Sequence, residues 1–244
     1  MLKFSRGNAK LDKLESVIGG QVWTFSMLAG VACPNAKQCK SQVVEIDGKH
    51  RIKDGPDTVF RCFSASQEVL FPSLYKARKH NLDTILACAN NVEKISNEIQ
   101  SSLPKKAKAI RIHVSGDFIT QNYFDAWIEV AKANSNVIFY AYTKSLPFWV
   151  RRLNSIPSNF ILTASYGGTR DELIGEYNLR SAIVVENEEE ANKLGLEIDH
   201  DDSIAISNGP SFALLIHGPQ PKGGKNKAAK ANGYNRKKNK LVTQ

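Results

Sequence analysis

Short apolar runs alternate with helix-like segments through the second half of the chain, and this rhythm constrains the fold more than any other feature. The runs rich in β-forming residues are Ala109–Val114, Val137–Tyr142, Phe160–Ala164, Ala182–Val185, Ser203–Ile206 and Phe212–Ile216. Helix-like patterns separate most of them, over Gln121–Ala133, Pro147–Leu153, Asp171–Tyr177 and Glu188–Leu194. Most runs are too apolar for a strand with one face in water, so they predict buried parallel strands joined by crossover helices.

The N-terminal part of the chain supplies the first unit of the same kind. Gln21–Met27 has the pattern of a strand, and residues 28–62 predict a long loop that carries cysteines. Ser64–Gln100 predicts one or two helices, with Pro72 starting a new one. We therefore predict an α/β fold, an incomplete parallel (β/α) barrel of about six or seven strands, because a full eightfold barrel needs ~250 residues without so long a first loop.

A basic tail ends the chain and changes how the net charge of +9 is interpreted. Residues 222–244 hold seven Lys, one Arg and no acid, which leaves +1 for the rest. We predict one domain over residues 1–221 and a disordered tail over residues 222–244, because clustered like charge with little apolar content does not fold. Such a tail predicts contact with nucleic acid through phosphate neutralisation, and a merely solubilising end is the alternative.

Several classes of protein are disfavoured by what the sequence lacks. No apolar run approaches the ~20 residues that a membrane helix needs, and the N-terminus has no pattern of an export signal, so we expect a cytoplasmic protein. The Walker loop, the G-x-G-x-x-G fingerprint and the G-x-S-x-G elbow are missing, as is the H-x-E and P-C-x-x-C pattern of zinc deaminases. Nucleotide phosphate cradling and hydrolase chemistry therefore lack their usual signatures.

Three cysteines in the first long loop are the sharpest candidates for chemistry. Cys33, Cys39 and Cys62 could hold a zinc ion or three corners of a [4Fe–4S] cluster, with the fourth position open for substrate or for His217. Their spacing, C-x5-C-x22-C, matches no familiar zinc signature. Buried structural thiols are the alternative interpretation, which the polar surroundings disfavour. Cys88 lies at an apolar helical position and is expected in the core.

Polar residues at the ends of the predicted strands form the second set of candidates, because active sites of α/β folds lie at the carboxyl ends of strands. Asp117 follows a glycine that lets the backbone approach a ligand closely. His113 could face the barrel lumen or the helix layer, as a functional or a core histidine. The acids of residues 199–202 could form a metal or acid–base cluster, or a turn with helix-cap character. The predicted catalytic residues are Asp117, His113 and Lys144, and the predicted cofactor contacts are Ser115, Gly116, Asp117 and Ser165.

Eight segments in order resemble the bacteriophage gene product 88 family over nearly all of residues 20–221. They are "CPNAKQC", "FRCFSASQE", "IRIHVSGDF", "YFDAWIEVAK", "FYAYTKSLPFWV", "NFILTASYGG", "GLEIDHDDS" and "FALLIHGPQP". The resemblance implies a phage or prophage origin, and hence the host cytoplasm, but it does not bring an activity with it.

A more distant resemblance, to radical S-adenosylmethionine enzymes, implies a mechanism. Those enzymes combine an incomplete parallel barrel, a cluster-binding cysteine loop after the first strand, and a short Gly-rich acidic motif after the second. Here "SGDF" at residues 115–118 takes the second place, while the wider cysteine spacing departs from their C-x3-C-x2-C. The resemblance implies Cys33, Cys39 and Cys62 as cluster ligands, with Ser115 and Asp117 as contacts of S-adenosylmethionine.

Three functions remain as hypotheses. The first is an iron–sulfur enzyme that uses S-adenosylmethionine to modify a nucleotide or nucleic acid. The second is a barrel with a structural zinc ion in which Asp117 and the acids of residues 199–202 act on a base or sugar, as in transglycosylases. The third is a phage protein without catalysis that binds nucleic acid or a protein partner through its basic tail.

Overall fold

The computed structural model describes residues 1–6, 9–218 and 220. The strands are β1 Ser5–Arg6, β2 Gln21–Phe25, β3 Ser41–Ile46, β4 Lys49–Asp54, β5 Ala107–Ile112, β6 Ile138–Thr143, β7 Phe160–Ser165, β8 Ser181–Val185 and β9 Phe212–Leu215. The helices are α1 Ala9–Ile18, α2 Phe63–Leu70, α3 Pro72–Ala87, α4 Val92–Ser102, α5 Gln121–Ala133, α6 Leu146–Val150, α7 Glu172–Glu176, α8 Glu188–Lys193 and α9 Ser203–Ile206. The predicted basic tail, and with it the predicted contact with nucleic acid, lies outside the described residues.

One mostly parallel sheet organises the molecule. Its seven strands lie in the order β1-β2-β5-β6-β7-β8-β9. The short β1 is antiparallel to β2, and each later strand is parallel to the one before it in the sheet. Strands β3 and β4 form a separate antiparallel hairpin. The prediction of a parallel α/β sheet is confirmed, whereas the described strands show no closure of this sheet into a barrel.

Helices α3 to α7 cover one face of the sheet and bury its largest core. Alternate strand residues point to this face, among them Ile110 and Ile112 of β5. From α5 the fully buried Tyr123, Phe124 and Trp127 meet them. The helix begins at Thr120, whose hydroxyl accepts a hydrogen bond from the Tyr123 N–H and so satisfies one of the free donors of the first turn.

Helices α1 and α9 cover the opposite face with a smaller core. Leu11 and Leu14 of α1 and Ala205 of α9 pack against Val22 and Tyr140 of the strands. Helix α8 contributes a third, minor cluster beside β8 and β9. The described part of the chain contains no helix with the length and apolar character required to cross a bilayer.

Three predicted elements differ from the structure. Ser203–Ile206, predicted as a strand, is helix α9, since the Asp199 side chain accepts a hydrogen bond from the Ala205 N–H and holds the turn. The predicted loop 28–62 contains the β3–β4 hairpin, and Ser64–Gln100 spans three helices rather than one or two. Local pairing thus shortens the free part of the cysteine loop.

Candidate functional site

The loop after β2 lies directly against the loop after β5. The Met27 N–H donates to the Ser115 carbonyl at 2.9 Å, and the Asp117 N–H donates to the Ala32 carbonyl at 2.7 Å. Gly116 lies between these bonds with φ +86°, and a Cβ there would come within 3.1 Å of Met27 Cβ. Only glycine fits this left-handed position so close to another segment of the same chain. The predicted cofactor motif 115–117 is therefore in contact with the segment that leads into the cysteines.

The cysteine loop also docks on the loop after β7. The Gln38 N–H, beside Cys39, donates to the Gly167 carbonyl at 2.9 Å. Lys40 Nζ donates to the Cys33 carbonyl at 2.8 Å and closes the loop on itself. Contacts with the ends of β5 and β7 thus fix Cys33 and Cys39 at the carboxyl edge of the sheet.

Cys62 returns to the same region at the start of α2. Its N–H donates to the Ser41 hydroxyl at 3.2 Å. Its sulfur accepts hydrogen bonds from the backbone N–H groups of Ser64 and Ala65, which lower its pKa. His217, predicted as a possible fourth ligand, stacks on Phe63 with ring centroids 4.5 Å apart.

The three thiols influence one another electrostatically. Burial raises the pKa of Cys33 well above its ordinary value, and Asp117, Cys62 and Cys39 raise it further. Burial and the neighbouring Cys39 raise the pKa of Cys62 to about 11. Asp117, Cys62 and Cys39 thus lie near enough to disfavour ionisation of Cys33, and Cys39 lies near enough to disfavour ionisation of Cys62. A cation placed beside these two thiols would favour their ionised form.

Metal ligation by a single ion is a separate question. Within residues 1–6, 9–218 and 220, no group of three or more His, Cys, Asp or Glu side chains is arranged to hold a metal ion. All the cysteines are free thiols, half-buried in each case. The thiols are therefore neighbours without forming one tetrahedral coordination sphere, which requires Zn–S distances of about 2.3 Å.

Asp117 joins the loops that follow β5 and β6. Its carboxylate accepts hydrogen bonds from the Phe118 N–H at 2.7 Å, the Thr143 hydroxyl at 2.6 Å and the Lys144 N–H at 2.8 Å. Burial raises its pKa, and these hydrogen bonds oppose the shift. Both oxygens already have partners, so the geometry suits a positioning role; the predicted catalytic role stays a prediction.

The Lys144 side chain connects the next pair of strand ends. Its ammonium donates to the Ser165 hydroxyl at 2.7 Å, to the Ser165 carbonyl at 3.2 Å and to the Tyr166 carbonyl. Lys144 is 8% exposed. Lys144 and Ser165, predicted separately, thus lie in one hydrogen-bonded chain with Asp117 along the carboxyl edge of β5, β6 and β7.

His113 lies in the helix layer, the second of the two locations that its sequence position allowed. Strand β5 ends at Ile112, and His113 turns the chain with φ +63°. Its ring packs against Phe118 and shares a 2.9 Å hydrogen bond with the Tyr123 hydroxyl. Burial lowers its pKa to about 3, so the ring is neutral at ordinary pH. These contacts are those of a core histidine.

Glu68 and Arg78 are important residues that sequence reasoning missed. Glu68 Oε1 accepts hydrogen bonds from the Ala29 N–H, the Ser115 hydroxyl and Arg78 Nη1, at 3.0, 3.1 and 3.0 Å. Glu68 thereby joins the cysteine loop, the 115–117 motif and helix α3. One signal was available: Glu68 stands six residues after Cys62 on a helix that must pack against the sheet.

The acids of residues 199–202 serve the opposite face of the sheet. Asp202 accepts hydrogen bonds from Arg111 Nη1 at 2.6 Å and from the Tyr140 hydroxyl at 3.1 Å. Asp199 holds the turn before α9. The turn interpretation fits Asp199, whereas Asp202 forms a buried ion pair with Arg111, a residue distant in sequence.

Fold and site together define a class: an α/β protein with a mostly parallel sheet and a cysteine-bearing loop at the carboxyl ends of its strands. The chain belongs to the gene product 88 family, whose family model matches residues 2–237. The predicted membership is confirmed. Comparisons with curated proteins and with solved structures gave no match. The resemblance to radical S-adenosylmethionine enzymes stays a prediction.

Proposed function

We propose that this protein is an iron–sulfur enzyme that uses S-adenosylmethionine to modify a nucleotide or nucleic acid. The observation that supports the proposal is that the loop bearing Cys33 and Cys39 contacts the 115–117 motif, with Cys39 and Cys62 near enough to affect the pKa of Cys33. Three cysteines hold three irons of a [4Fe–4S] cluster and leave one iron without a protein ligand.

The charge of the site supports a cationic group among the thiols. Cys33 and Cys62 have raised pKa values because they are buried and face other acidic groups. Iron lowers the pKa of a coordinating thiol and replaces this mutual repulsion by attraction. A cluster takes thiolates farther apart than a single zinc ion does.

The strand order supports the same class of enzyme. From β2 to β9, parallel neighbours in the sheet follow one another in chain order, with the hairpin standing apart. A doubly wound sheet reverses direction at a switch point, and this sheet has no such reversal. Chain-ordered parallel strands are the arrangement of a (β/α) barrel, so we propose that the sheet is a partial one.

The cluster would supply the redox chemistry. Cys33, Cys39 and Cys62 would hold the cluster, which, when reduced by a low-potential electron donor, would supply one electron for reductive cleavage of bound S-adenosylmethionine. The chain's own residues hold the site: Asp117 and Lys144 fix three loops against one another, and Gly116 lets the 115–117 motif pack directly on the segment that leads into the cysteines.

Anaerobic reconstitution of the full chain with iron and sulfide tests the cluster. We expect about four irons and four sulfides per chain, and loss of most of that content in Cys33→Ala, Cys39→Ala and Cys62→Ala. Cys88→Ala is the matched control, since Cys88 lies at the end of α3 and its thiol donates to the Thr84 carbonyl. A chain that stays colourless and iron-free would exclude the proposal. If metal analysis found one zinc ion per chain instead, the result would favour the zinc hypothesis over the iron–sulfur proposal.

Cofactor chemistry is tested separately. The reconstituted protein, reduced with dithionite, should convert S-adenosylmethionine to 5′-deoxyadenosine and methionine in equal amounts. Cys62→Ala should abolish this conversion. A fully loaded cluster that leaves S-adenosylmethionine intact would contradict the enzymatic part of the proposal and leave an iron–sulfur protein.

A further inference from the structure

A cavity of about 220 Å³ lies between the N-terminal strand, the end of β2 and helices α2 and α3. Its polar uncharged lining side chains include Ser5, Thr24, Ser26, Gln67 and Asn81. At ~30 Å³ per water, this volume equals that of about seven water molecules. The cavity is therefore large enough for a small organic molecule or a fragment of a larger one.

The charges that line the cavity have one sign. Lys3, Arg6, Arg78 and Arg111 line it, and among its described lining residues there is no carboxylate. Serine, threonine and amide side chains supply further hydrogen-bonding groups. A concave surface with four cations and low-dielectric walls concentrates positive potential and selects an anionic ligand.

The carboxylates that balance the three arginines do not line the cavity. Their partners are Glu15 for Arg6, Glu68 for Arg78 and Asp202 for Arg111, at 2.8, 3.0 and 2.6 Å. Such pairs hold each guanidinium in a fixed orientation and still leave N–H groups for a ligand, since arginine has five donors.

Two buried donors in this wall lack partners. Arg78 is 4% exposed, and its Nε has no hydrogen-bond partner among the described residues. Arg111 Nε has none either. Both Nε atoms are covered by protein, so a ligand in the cavity would contact the outer parts of the guanidinium groups and not these donors. Arg78 and Arg111 therefore form the deeper part of the cavity wall, whereas the exposed Lys3 and Arg6 lie at its rim.

We propose that this cavity binds the phosphate group of a phosphorylated small molecule such as a sugar phosphate or nucleotide. Phosphate oxygens match the planar fork of arginine, which donates two parallel hydrogen bonds to them. The inference names the substrate class of the proposed function and rests on that function only for the reaction, since phosphate binding needs no cluster.

The cavity adjoins the cysteine site, which suits a substrate held by its phosphate. Phe63 in the wall follows Cys62 directly, and Val114 precedes the 115–117 motif. Cys62 also raises the pKa of Arg78, although burial lowers it more. A ligand anchored on the arginines would extend toward the carboxyl edge of the sheet.

Calorimetry on the full chain, with and without reconstituted iron, tests the inference. Ribose 5-phosphate is the probe, with inorganic phosphate, adenosine monophosphate and ribose as further arms. We expect binding of the phosphorylated probes, no binding of ribose, and about tenfold or greater weakening in the double variant Lys3→Gln, Arg6→Gln. These rim residues are exposed; replacing Arg6 removes its pair with Glu15, while the buried pairs of Arg78 and Arg111 remain.

A matched control separates a specific site from general charge. Lys105→Gln with Lys106→Gln removes the same two charges from an exposed turn outside the cavity lining. This control should bind ribose 5-phosphate as the parent does. Equal weakening in both double variants, or ribose binding as tightly as its phosphate, would overturn the inference. Binding by iron-free protein would sustain it even if the cluster proposal failed.

Discussion

Glu68 of α2 and Arg78 of α3 form an ion pair at 3.0 Å with their side chains 0% and 4% exposed. The same carboxylate holds the Ala29 N–H and the Ser115 hydroxyl. One buried acid thus connects the helix that begins at Cys62 with both loops of the candidate site. The pair therefore fixes the loops that carry the candidate site, and its arginine lines the proposed phosphate cavity.

Replacing this acid should destabilise the whole domain. In Glu68→Gln the buried guanidinium loses its counter-charge, and we expect the free energy of unfolding to fall by about 3 kcal/mol, as for broken buried ion pairs. Urea denaturation followed by circular dichroism measures it. The control is Glu129→Gln, which removes the exposed Lys132 pair on α5 and should change stability by less than about 0.5 kcal/mol. Equal effects in the two variants would contradict the structural role.

His113 should make the protein sensitive to acid. Its folded pKa of about 3 lies below the ordinary 6.5, so the unfolded chain binds a proton first as the pH falls. Stability from this residue is complete above about pH 6.5 and is lost as the pH falls toward 3, by up to about 1.4 kcal/mol per pH unit. Asn tolerates the left-handed backbone, so His113→Asn should flatten the stability profile in that range.

The exposed His200 offers the control for that measurement. His200→Asn should keep the parent's loss of stability between pH 6.5 and 3, measured by urea unfolding at each pH. A parent-like slope in His113→Asn would show that its ring is not buried in a neutral form.

Cys62 should make the metal-free, reduced protein less stable as the pH rises into the alkaline range. Its folded pKa of about 11 exceeds the ordinary 9.0, because the thiol is buried and faces Cys39. The unfolded chain therefore releases the proton first, and stability present below pH 9 is lost as the pH rises toward 11. Cys62→Ser should reduce this loss, and thiolate absorbance near 240 nm should report the late ionisation. An unchanged slope in the variant would disprove the assignment.

Gly30 should be essential to the structure of the cysteine loop. Gly19 is the matched control position. Both have left-handed backbones, with φ +70° and +64°. A Cβ at Gly30 would lie 2.4 Å from the Ser41 carbonyl oxygen, whereas one at Gly19 meets nothing within 4 Å. Gly19→Ala should therefore cost about 1 kcal/mol for backbone strain alone, and Gly30→Ala clearly more. Thermal unfolding measures both, and equal losses would contradict the close contact.

Sequence reasoning predicted the sheet well because its strands are buried on both faces. Helix α5 was predicted over its observed range, and β5 to β8 lie within two residues of their predicted bounds at each end. The strand prediction failed at Ser203–Ile206, where four apolar residues suit a helix or a strand equally and Asp199 decides between them through one tertiary hydrogen bond. Barrel curvature could not be read from periodicity, which carries no information on closure.

The candidate site was only partly predictable. The carboxyl-edge rule brought Asp117, Lys144 and Ser165 together before any coordinates were known. Whether His113 faced a lumen or the helix layer depended on the left-handed turn at that residue, which the sequence does not mark. Glu68 and Arg78 were missed because their importance comes from burial beside segments distant in sequence.

The strand order also has a consequence for how the chain reaches its folded state. From β6 onward each strand pairs with the strand that precedes it in the chain, so most of the sheet can form in chain order. Strand β2 instead pairs with β5, and the hairpin and three helices lie between them in the chain. Closing so long a segment is costly in entropy and slow. All three loop cysteines lie inside this segment, so the candidate site is completed only when β2 pairs with β5, late in folding.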